Sequence, residues 1–346
     1  MTGNSDVKNS EAVSQQAGDV QQNSEVASEE NTNPYQIWLN LLLVALLLYI
    51  FLVGITCLSS GVKGLGKGVM DQYMGADMNP MLGLLVGILA TTFVQSSSMT
   101  TALIVGVVAA GQVSVSSAIP MIMGANIGTT VTSTIASLAS ATRSGEFKRA
   151  FAAATCHDFF NVLSVITILP LELITRAMTG GGILERASEF IAKLTTDASA
   201  TKYKSPIKAS FKAGAKFVKS GVETLSDNPK VVTSLLALAG CVIIFAALTM
   251  IVKVMRGLVL ARMEKYLNRF LGAGGPVGML IGAVLTIMVQ SSSITTSVMV
   301  PLAGAGVVTI AQIYPVTLGA NVGTTITALL AALATSRPEA LTVALV

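Results

Sequence analysis

The sequence predicts an all-α polytopic membrane protein made of two inverted repeats, each with a re-entrant helical hairpin followed by broken or full helices. Three observations lead to this fold class. Hydrophobic residues make up 52% of the 346 residues and charged residues 12%, and the mean hydropathy is +0.70. Apolar runs recur along the chain at lengths that suit a bilayer, and one half of the chain repeats the sequence of the other.

The low charge excludes several classes of function. A soluble domain carries about 25% charged residues, so this chain cannot cover a water-facing surface and is not a soluble enzyme. The net charge is only +4, and no basic run is interleaved with aromatic residues, which gives no support for nucleic-acid binding. We therefore expect the function inside the bilayer.

The N-terminal segment, residues 1–34, is polar throughout. It contains no aromatic residue, and Lys8 is its only basic one. Such a segment cannot bury enough apolar surface to offset the entropy lost on ordering. It also lacks the basic start and apolar core of a signal peptide. We predict that it is a disordered tail.

Five apolar runs are long enough to cross a membrane. A helix rises about 1.5 Å per residue, so about 20 residues cross a hydrocarbon core of about 30 Å. Tyr35 and Trp38 stand at the start of the first run, where aromatic anchors belong. The predicted spans are 37–58, 119–139, 147–171, 231–252 and 314–335.

Two other apolar segments are interrupted by polar residues. One covers 81–113 and the other 276–310. Each arm is too short or too polar at one end to cross alone. Two short arms around a polar apex are typical of a re-entrant hairpin that is buried in protein. In the first arm, Gly83 and Gly87 have the spacing of a helix-packing face.

A long polar connection covers residues 172–230. It holds 10 Lys/Arg and 6 Asp/Glu. The spacing of Phe211, Phe217 and Val218 suits an amphipathic helix at the membrane interface. A solvated loop with helical turns is the alternative.

The two halves of the membrane part repeat at a fixed offset. Gln-Ser-Ser-Ser stands at 95–98 and again at 290–293, and Gly-Ala-Asn-x-Gly-Thr-Thr stands at 124–130 and again at 319–325. An ungapped alignment of one copy on the other has 22 identical positions out of 48. We call residues 95–98 the first tip and residues 290–293 the second tip. The copies define a first repeat at 35–171 and a second at 231–346.

The second repeat is predicted to be inverted in the membrane. Three predicted spans separate the two tips, because a re-entrant hairpin adds no crossing. Inverted repeats are a transporter architecture, with binding sites at the repeat interface near the midplane. Basic residues in short loops favour a cytoplasmic N-terminus and tail, with the 172–230 loop outside. The second repeat stops soon after its motif, and we expect it to be truncated at its C-terminal end.

The tips are chemically neutral. Segments 81–140 and 276–335 contain no Asp, Glu, Lys, Arg or His. Proton-coupled carriers need titratable groups in the membrane, and a serine nucleophile needs a base, so neither proton coupling nor an enzyme is predicted. Unpaired N–H groups at a helix start favour an anion, and neutral oxygens suit a hard monovalent cation. The residues favour an anion and cations bound together, because their charges offset each other in low dielectric.

One carboxylate lies inside a predicted span. Asp158, next to His157, is a candidate modulator of transport, either as a cation ligand or as a proton-linked group. The alternative is a local polar pair that bonds Asn161 and orients its helix.

The paired Gln-Ser-Ser-Ser tips, each followed by Gly-Ala-Asn-[Ile/Val]-Gly-Thr-Thr, resemble the type II sodium-dependent phosphate cotransporter family over about residues 80–335. The resemblance implies sodium-driven uptake of inorganic phosphate by alternating access, with no cofactor besides the coupling sodium ions. The implied phosphate ligands are Ser96, Ser97, Ser98, Ser291, Ser292 and Ser293. The implied sodium ligands are Gln95, Thr100, Gln290, Thr295, Thr296, Asn126 and Asn321, of which the two asparagines either brace the tips or bind sodium directly.

The chain is similar to bacterial members of that family, which implies the cell (inner) membrane of a bacterium. The expected partners are phosphate, sodium and the lipid bilayer, with no nucleic acid, and a homo-oligomer is left open. Animal members carry a disulfide in the loop that corresponds to 172–230, and this chain has no cysteine there. Two alternatives stay open: a symporter for another small oxyanion or a carboxylate, and a membrane phosphate sensor that does not transport.

Overall fold

The described part of the chain is built of α-helices. The computed structural model describes residues 34–65, 78–197, 206–270, 274–335 and 337–346, so the predicted tail lies outside them except for its last residue. These ranges contain no strand, which confirms the all-α prediction. The helices are α1 Pro34–Gly64, α2 Pro80–Val94, α3 Ser97–Ala109, α4 Val115–Gly128, α5 Thr130–Ser137, α6 Ser144–Thr179, α7 Ile183–Asp197, α8 Pro206–Glu223, α9 Pro229–Phe270, α10 Gly275–Val289, α11 Ser292–Gly304, α12 Ile310–Ala334 and α13 Pro338–Leu345.

Four helices of the described ranges are long and apolar enough to cross a membrane. Four of the five predicted spans fall within them, apart from the last residue of the run at 314–335. The polytopic character of the chain is therefore confirmed. The four segments are Tyr35–Gly64, Ser144–Thr179, Pro229–Met255 and Ile310–Ala334.

The predicted span at 119–139 consists of two consecutive helices, α4 and α5. Thr129 between them keeps helical backbone angles, with φ −63° and ψ −29°, whereas the equivalent α12 runs on without an interruption. The shared motif does not cause the break, since both copies contain it. After the motif, the first copy continues with β-branched and hydroxyl residues (131–134), which form helices poorly, while the second soon continues with alanine and leucine, which form them well.

Each hairpin consists of two short helices, α2 with α3 and α10 with α11. The first arms pack closely on the helix that carries the glycine motif, α2 on α4 and α10 on α12. A Cβ added at Gly87 would lie 2.0 Å from the carbonyl oxygen of Met121, which confirms the predicted packing face. Gly124 of the repeated motif contacts the Leu84 carbonyl, where a Cβ would also lie at 2.0 Å. The motif glycine is there because two helix backbones touch.

The 172–230 connection is largely helical. Helix α6 continues to Thr179, and α7 and α8 follow within the described ranges. Buried Glu172 accepts a hydrogen bond of 2.7 Å from the backbone N–H of Leu184 and so fixes the start of α7. In α8, Phe211 is buried against α1, while Phe217 is 81% exposed. The segment is thus helical, as the amphipathic alternative predicts, and its two aromatic residues lie on different faces.

The two repeats interlock around the tips. Helices α1 and α9 pack along each other, α3 of the first hairpin packs on α12, and α11 of the second hairpin packs on α5 and α6. Each second arm is thus held by helices of the other repeat. The core between them collects buried side chains from nine of the described helices, among them Phe51, Val105, Ile251, Met299 and Val316.

Candidate functional site

The two tips meet inside the protein. The hydroxyl oxygens of Ser97 and Ser292 lie 3.5 Å apart, and each residue is 2% exposed. The two serines are separated by 195 positions, so they are equivalent in the two copies. When equivalent residues touch, the axis that relates the copies passes between them. The fold thus brings together two segments that are far apart in the sequence.

Each tip begins with a glutamine in the left-handed backbone conformation. The φ angles are 58° at Gln95 and 56° at Gln290, and no other non-glycine residue of the described ranges has a positive φ. A residue with a Cβ loses about 1–2 kcal/mol in this conformation, and helices that end this way normally use glycine. Such strain is concentrated at functional sites. The presence of glutamine therefore indicates that the side chain is needed there.

Both glutamine side chains are fixed in the same way. Each amide nitrogen donates to the carbonyl three residues earlier. The amide oxygen of Gln95 accepts from the Thr132 hydroxyl at 2.7 Å, and that of Gln290 from the Thr327 hydroxyl at 2.8 Å. Sequence analysis missed these two threonines. Because they recur at the same offset as the tips, the repeat itself would have identified them.

The helices that leave the tips begin with serine N-caps. The hydroxyl oxygens of Ser96 and Ser291 accept from the backbone N–H three residues on, at 3.3 and 3.4 Å. The N–H groups of the two serines that directly follow each N-cap have no partner within their own helix. The positive ends of the two helix dipoles converge at the contact between the tips. This arrangement stabilises an anion without any charged side chain.

A cavity of about 630 Å³ adjoins the tips. Four of the predicted site residues line it, and none of its described lining residues is charged. A water molecule takes about 30 Å³, so the cavity has room for a small hydrated anion together with cations. The four residues are Gln95, Ser96, Ser291 and Ser293.

Four further tip residues lie just behind this wall. None of them is among the residues that line the cavity. All four are buried: Ser97 and Ser98 of the first tip, and Gln290 and Ser292 of the second.

The three predicted threonines form a second layer. All are buried, and all bond protein groups. Thr100 donates to the carbonyl of the N-cap serine of its own tip at 3.1 Å. Thr295 accepts from Thr286 at 3.0 Å, and Thr296 lies 3.0 Å from the hydroxyl of Ser133 on α5. Their oxygens hold the tips in place and lie one layer away from the cavity.

The two predicted asparagines lie away from this cavity. Asn126 and Asn321 line a second cavity of about 260 Å³. The side chain of Asn321 lies 2.8 Å from the His157 ring and donates to Asn161 at 2.8 Å. Asn161 in turn donates to the backbone carbonyl of Asn126 at 3.0 Å. Asn161 therefore connects both motif helices to α6, and sequence analysis did not identify this role.

Asp158 hydrogen-bonds helix α5 and not Asn161 of its own helix. Its carboxylate accepts from the Thr134 hydroxyl on α5 at 3.3 Å. The alternative, a bond between Asp158 and Asn161, is not found, because Asn161 is occupied by the two motif helices. Asp158 does not line the cavity at the tips.

Comparison with known proteins identifies related chains. The sequence profile described as Na+/Pi-cotransporter matches residues 50–187 and 243–346. A sodium-dependent phosphate transport protein 2A from Ovis aries is 35% identical over 356 residues, which cover 84% of this chain and 56% of the relative. The protein of the same name from Rattus norvegicus is 34% identical over 395 residues, covering 91% of this chain and 61% of the relative.

A second kind of relative, named sodium-dependent phosphate transport protein 2B, is similar to this chain to about the same degree. Sodium-dependent phosphate transport protein 2B from Homo sapiens is 32% identical over 377 residues, covering 85% of this chain and 54% of the relative. The matched part of these relatives is thus little more than half of their length. No solved structure matches the chain significantly.

Proposed function

Because the chain belongs to the Na+/Pi-cotransporter family, we propose that it is a secondary active transporter that imports inorganic phosphate together with sodium by alternating access. The observation that carries the proposal is the contact between Ser97 and Ser292, at which two equivalent, uncharged tips meet beside a cavity. Relatives whose names include sodium-dependent phosphate transport support the choice of ions.

Phosphate is bound where the two helix starts converge. Its oxygens accept hydrogen bonds, which serine hydroxyls and free first-turn N–H groups can donate. Ser96, Ser291 and Ser293 line the cavity and make the first contacts. Ser97, Ser98 and Ser292 lie behind them and become ligands when the tips separate to admit the anion.

Sodium is bound by neutral oxygens beside the phosphate. The amide oxygens of Gln95 and Gln290 and the hydroxyls of Thr100, Thr295 and Thr296 supply the ligand type that hard cations prefer. Asn126 and Asn321 brace the tips through α6, and Asp158 modulates cation binding from α6 through its bond to Thr134 of α5. An anion without compensating cations is poorly tolerated in a low-dielectric site, so binding of the two ions is coupled.

The surroundings of the site suit alternating access in a bilayer. The second arm of each hairpin packs on the other repeat, so a tilt of one repeat against the other changes the side from which the tips are reached. We propose that the protein lies in the inner membrane of a bacterium, with the N-terminus in the cytoplasm and the 172–230 connection outside.

The test is uptake of radiolabelled phosphate by purified protein in liposomes. We expect uptake to follow an inward sodium gradient and sodium to lower the KM for phosphate by about 5- to 150-fold, the usual range of coupling between two ligands. Choline replaces sodium in the control. Uptake that ignores sodium and follows a pH gradient would contradict the proposal.

Competition separates the alternatives. Excess unlabelled phosphate should suppress uptake more strongly than sulfate or a small carboxylate. Stronger suppression by one of the other anions would identify a carrier for that anion. Phosphate binding without any uptake would indicate a sensor.

A further inference from the structure

The cavity wall contains a feature that is present in only one repeat. Helix α11 contributes Ser297 and Pro301 to the wall. The equivalent positions of α3, 195 residues earlier, are Ala102 and Gly106. The first hairpin thus has neither the hydroxyl nor the proline, although the tips themselves are identical in sequence. A polar group that breaks the symmetry at the cavity needs its own explanation.

Ser297 offers a hydroxyl without a hydrogen-bond partner and a backbone carbonyl that lacks its usual donor. Its hydroxyl is buried, and no described group bonds it. Its backbone carbonyl would normally accept from the N–H four residues later, but that residue is Pro301, which has no N–H. Buried polar atoms of native proteins are nearly always paired. An unpaired hydroxyl beside a carbonyl that lacks its usual donor, both on one residue of the cavity wall, therefore points to a ligand.

The opposite wall supplies another hydroxyl. Helix α9 turns one face toward the cavity with Phe245, Thr249 and Val252, which are spaced four and three residues apart. Thr249 is the polar member of this face. Helix α9 belongs to the second repeat, and the position 195 residues before Thr249 is Gly54 of α1, which has no hydroxyl. This contribution, like that of Ser297, is therefore made by the second repeat alone.

The chemistry of these oxygens favours a cation. A carbonyl can only accept, and a serine or threonine hydroxyl can turn its lone pairs toward a positive charge. The N-terminal dipole of α11 acts mainly within its first turn, and Ser297 lies beyond it. An uncharged set of carbonyl and hydroxyl oxygens is how membrane transporters hold monovalent cations.

We propose that Ser297 and Thr249 form an additional sodium site in the cavity, on the α11 side of the second tip. This site rests on the proposed function and adds to it a cation position that only the second repeat provides. No charged side chain lies between this site and the tips among the residues that line the cavity. A sodium ion bound there makes the electrostatic potential at the tips more positive and so favours phosphate binding.

The test compares the sodium dependence of phosphate uptake among variants. Ser297→Ala and Thr249→Val remove a hydroxyl, and each should raise the half-saturating sodium concentration by about three- to tenfold. Pro301→Ala restores a helical N–H to the Ser297 carbonyl and should raise that concentration as well. Since alanine favours a helix, this variant is not expected to fail to fold. Ser297→Thr keeps a hydroxyl and should stay close to the wild type.

The control is Ser234→Ala, which removes a hydroxyl of α9 that bonds the backbone of Lys230. A second readout is melting temperature in sodium chloride against choline chloride, without phosphate: the stabilisation by sodium should shrink in Ser297→Ala. Variants that match the wild type in both measurements would overturn the additional site alone. Wild-type uptake that ignores sodium would overturn the proposed function with it.

Discussion

Replacing Gln290 by glycine is expected to lower phosphate uptake by about a hundredfold, the loss that accompanies a small displacement of binding groups. The substitution removes the amide oxygen that Thr327 holds, and with it the brace of the second tip. Glycine also adopts the left-handed conformation of this position without strain. The substitution should therefore greatly reduce phosphate uptake while it changes the stability of the fold only slightly.

The expected change in stability is small because two effects oppose each other. Glycine relieves about 1–2 kcal/mol of backbone strain, while the loss of a partner for the buried Thr327 hydroxyl costs about 1–3 kcal/mol. The melting temperature should consequently change by only a few degrees, which a thermal unfolding assay in detergent can measure.

Two further variants make this test specific. Gln95→Gly changes the first tip in the same way and should also abolish uptake, since Gln95 is braced by Thr132. Gln290→Asn tolerates the left-handed backbone but is too short to reach Thr327, so it should resemble the glycine variant. Near-normal uptake by Gln290→Gly would show that the strained glutamine has no part in transport.

A disulfide between the two tips should stop transport completely. In the double variant Ser97→Cys with Ser292→Cys, the two thiols replace hydroxyls that lie 3.5 Å apart. A disulfide bond needs about 2.05 Å between the sulfurs, so a small movement closes it. The link would hold the tips together and prevent an anion from entering between them. Oxidation should block uptake, and reduction should restore whatever uptake the double variant has.

The cross-link can be followed without reference to activity. The native cysteines Cys57, Cys156 and Cys241 are first replaced by alanine, since all three are free thiols. A maleimide reagent of high mass then counts the remaining thiols on a gel. Each single cysteine variant serves as a control that cannot form the link within one chain. Thiols that stay free under oxidation would contradict the contact between the tips.

The sequence was most informative where it repeats. The offset of 195 residues located both tips, and the absence of charge in them defined the kind of ligand. It also contained the Thr132 and Thr327 pair, which we did not identify from sequence. The left-handed backbone at Gln95 and Gln290 was not predictable, because it depends on bonds to residues 37 positions away.

Other features depend on tertiary contacts that no local pattern contains. Asn126 and Asn321 belong to the repeated Gly-Ala-Asn-x-Gly-Thr-Thr motif. Nevertheless, they line a second cavity, where Asn161 and His157 of α6 hold them. The motif glycine Gly124 carries a helix contact, because the carbonyl of Leu84 lies against it. Identical motif sequence therefore does not reveal whether a residue meets a ligand or another helix.

The most direct test is an experimental structure with sodium and arsenate, a tetrahedral analogue of phosphate whose arsenic can be located by anomalous scattering. We predict an arsenic peak between the starts of α3 and α11, with arsenate oxygens within hydrogen-bond distance of Ser96 or Ser291. An arsenic peak elsewhere, with Ser97 and Ser292 still in contact, would contradict the proposal that the two tips form the anion site.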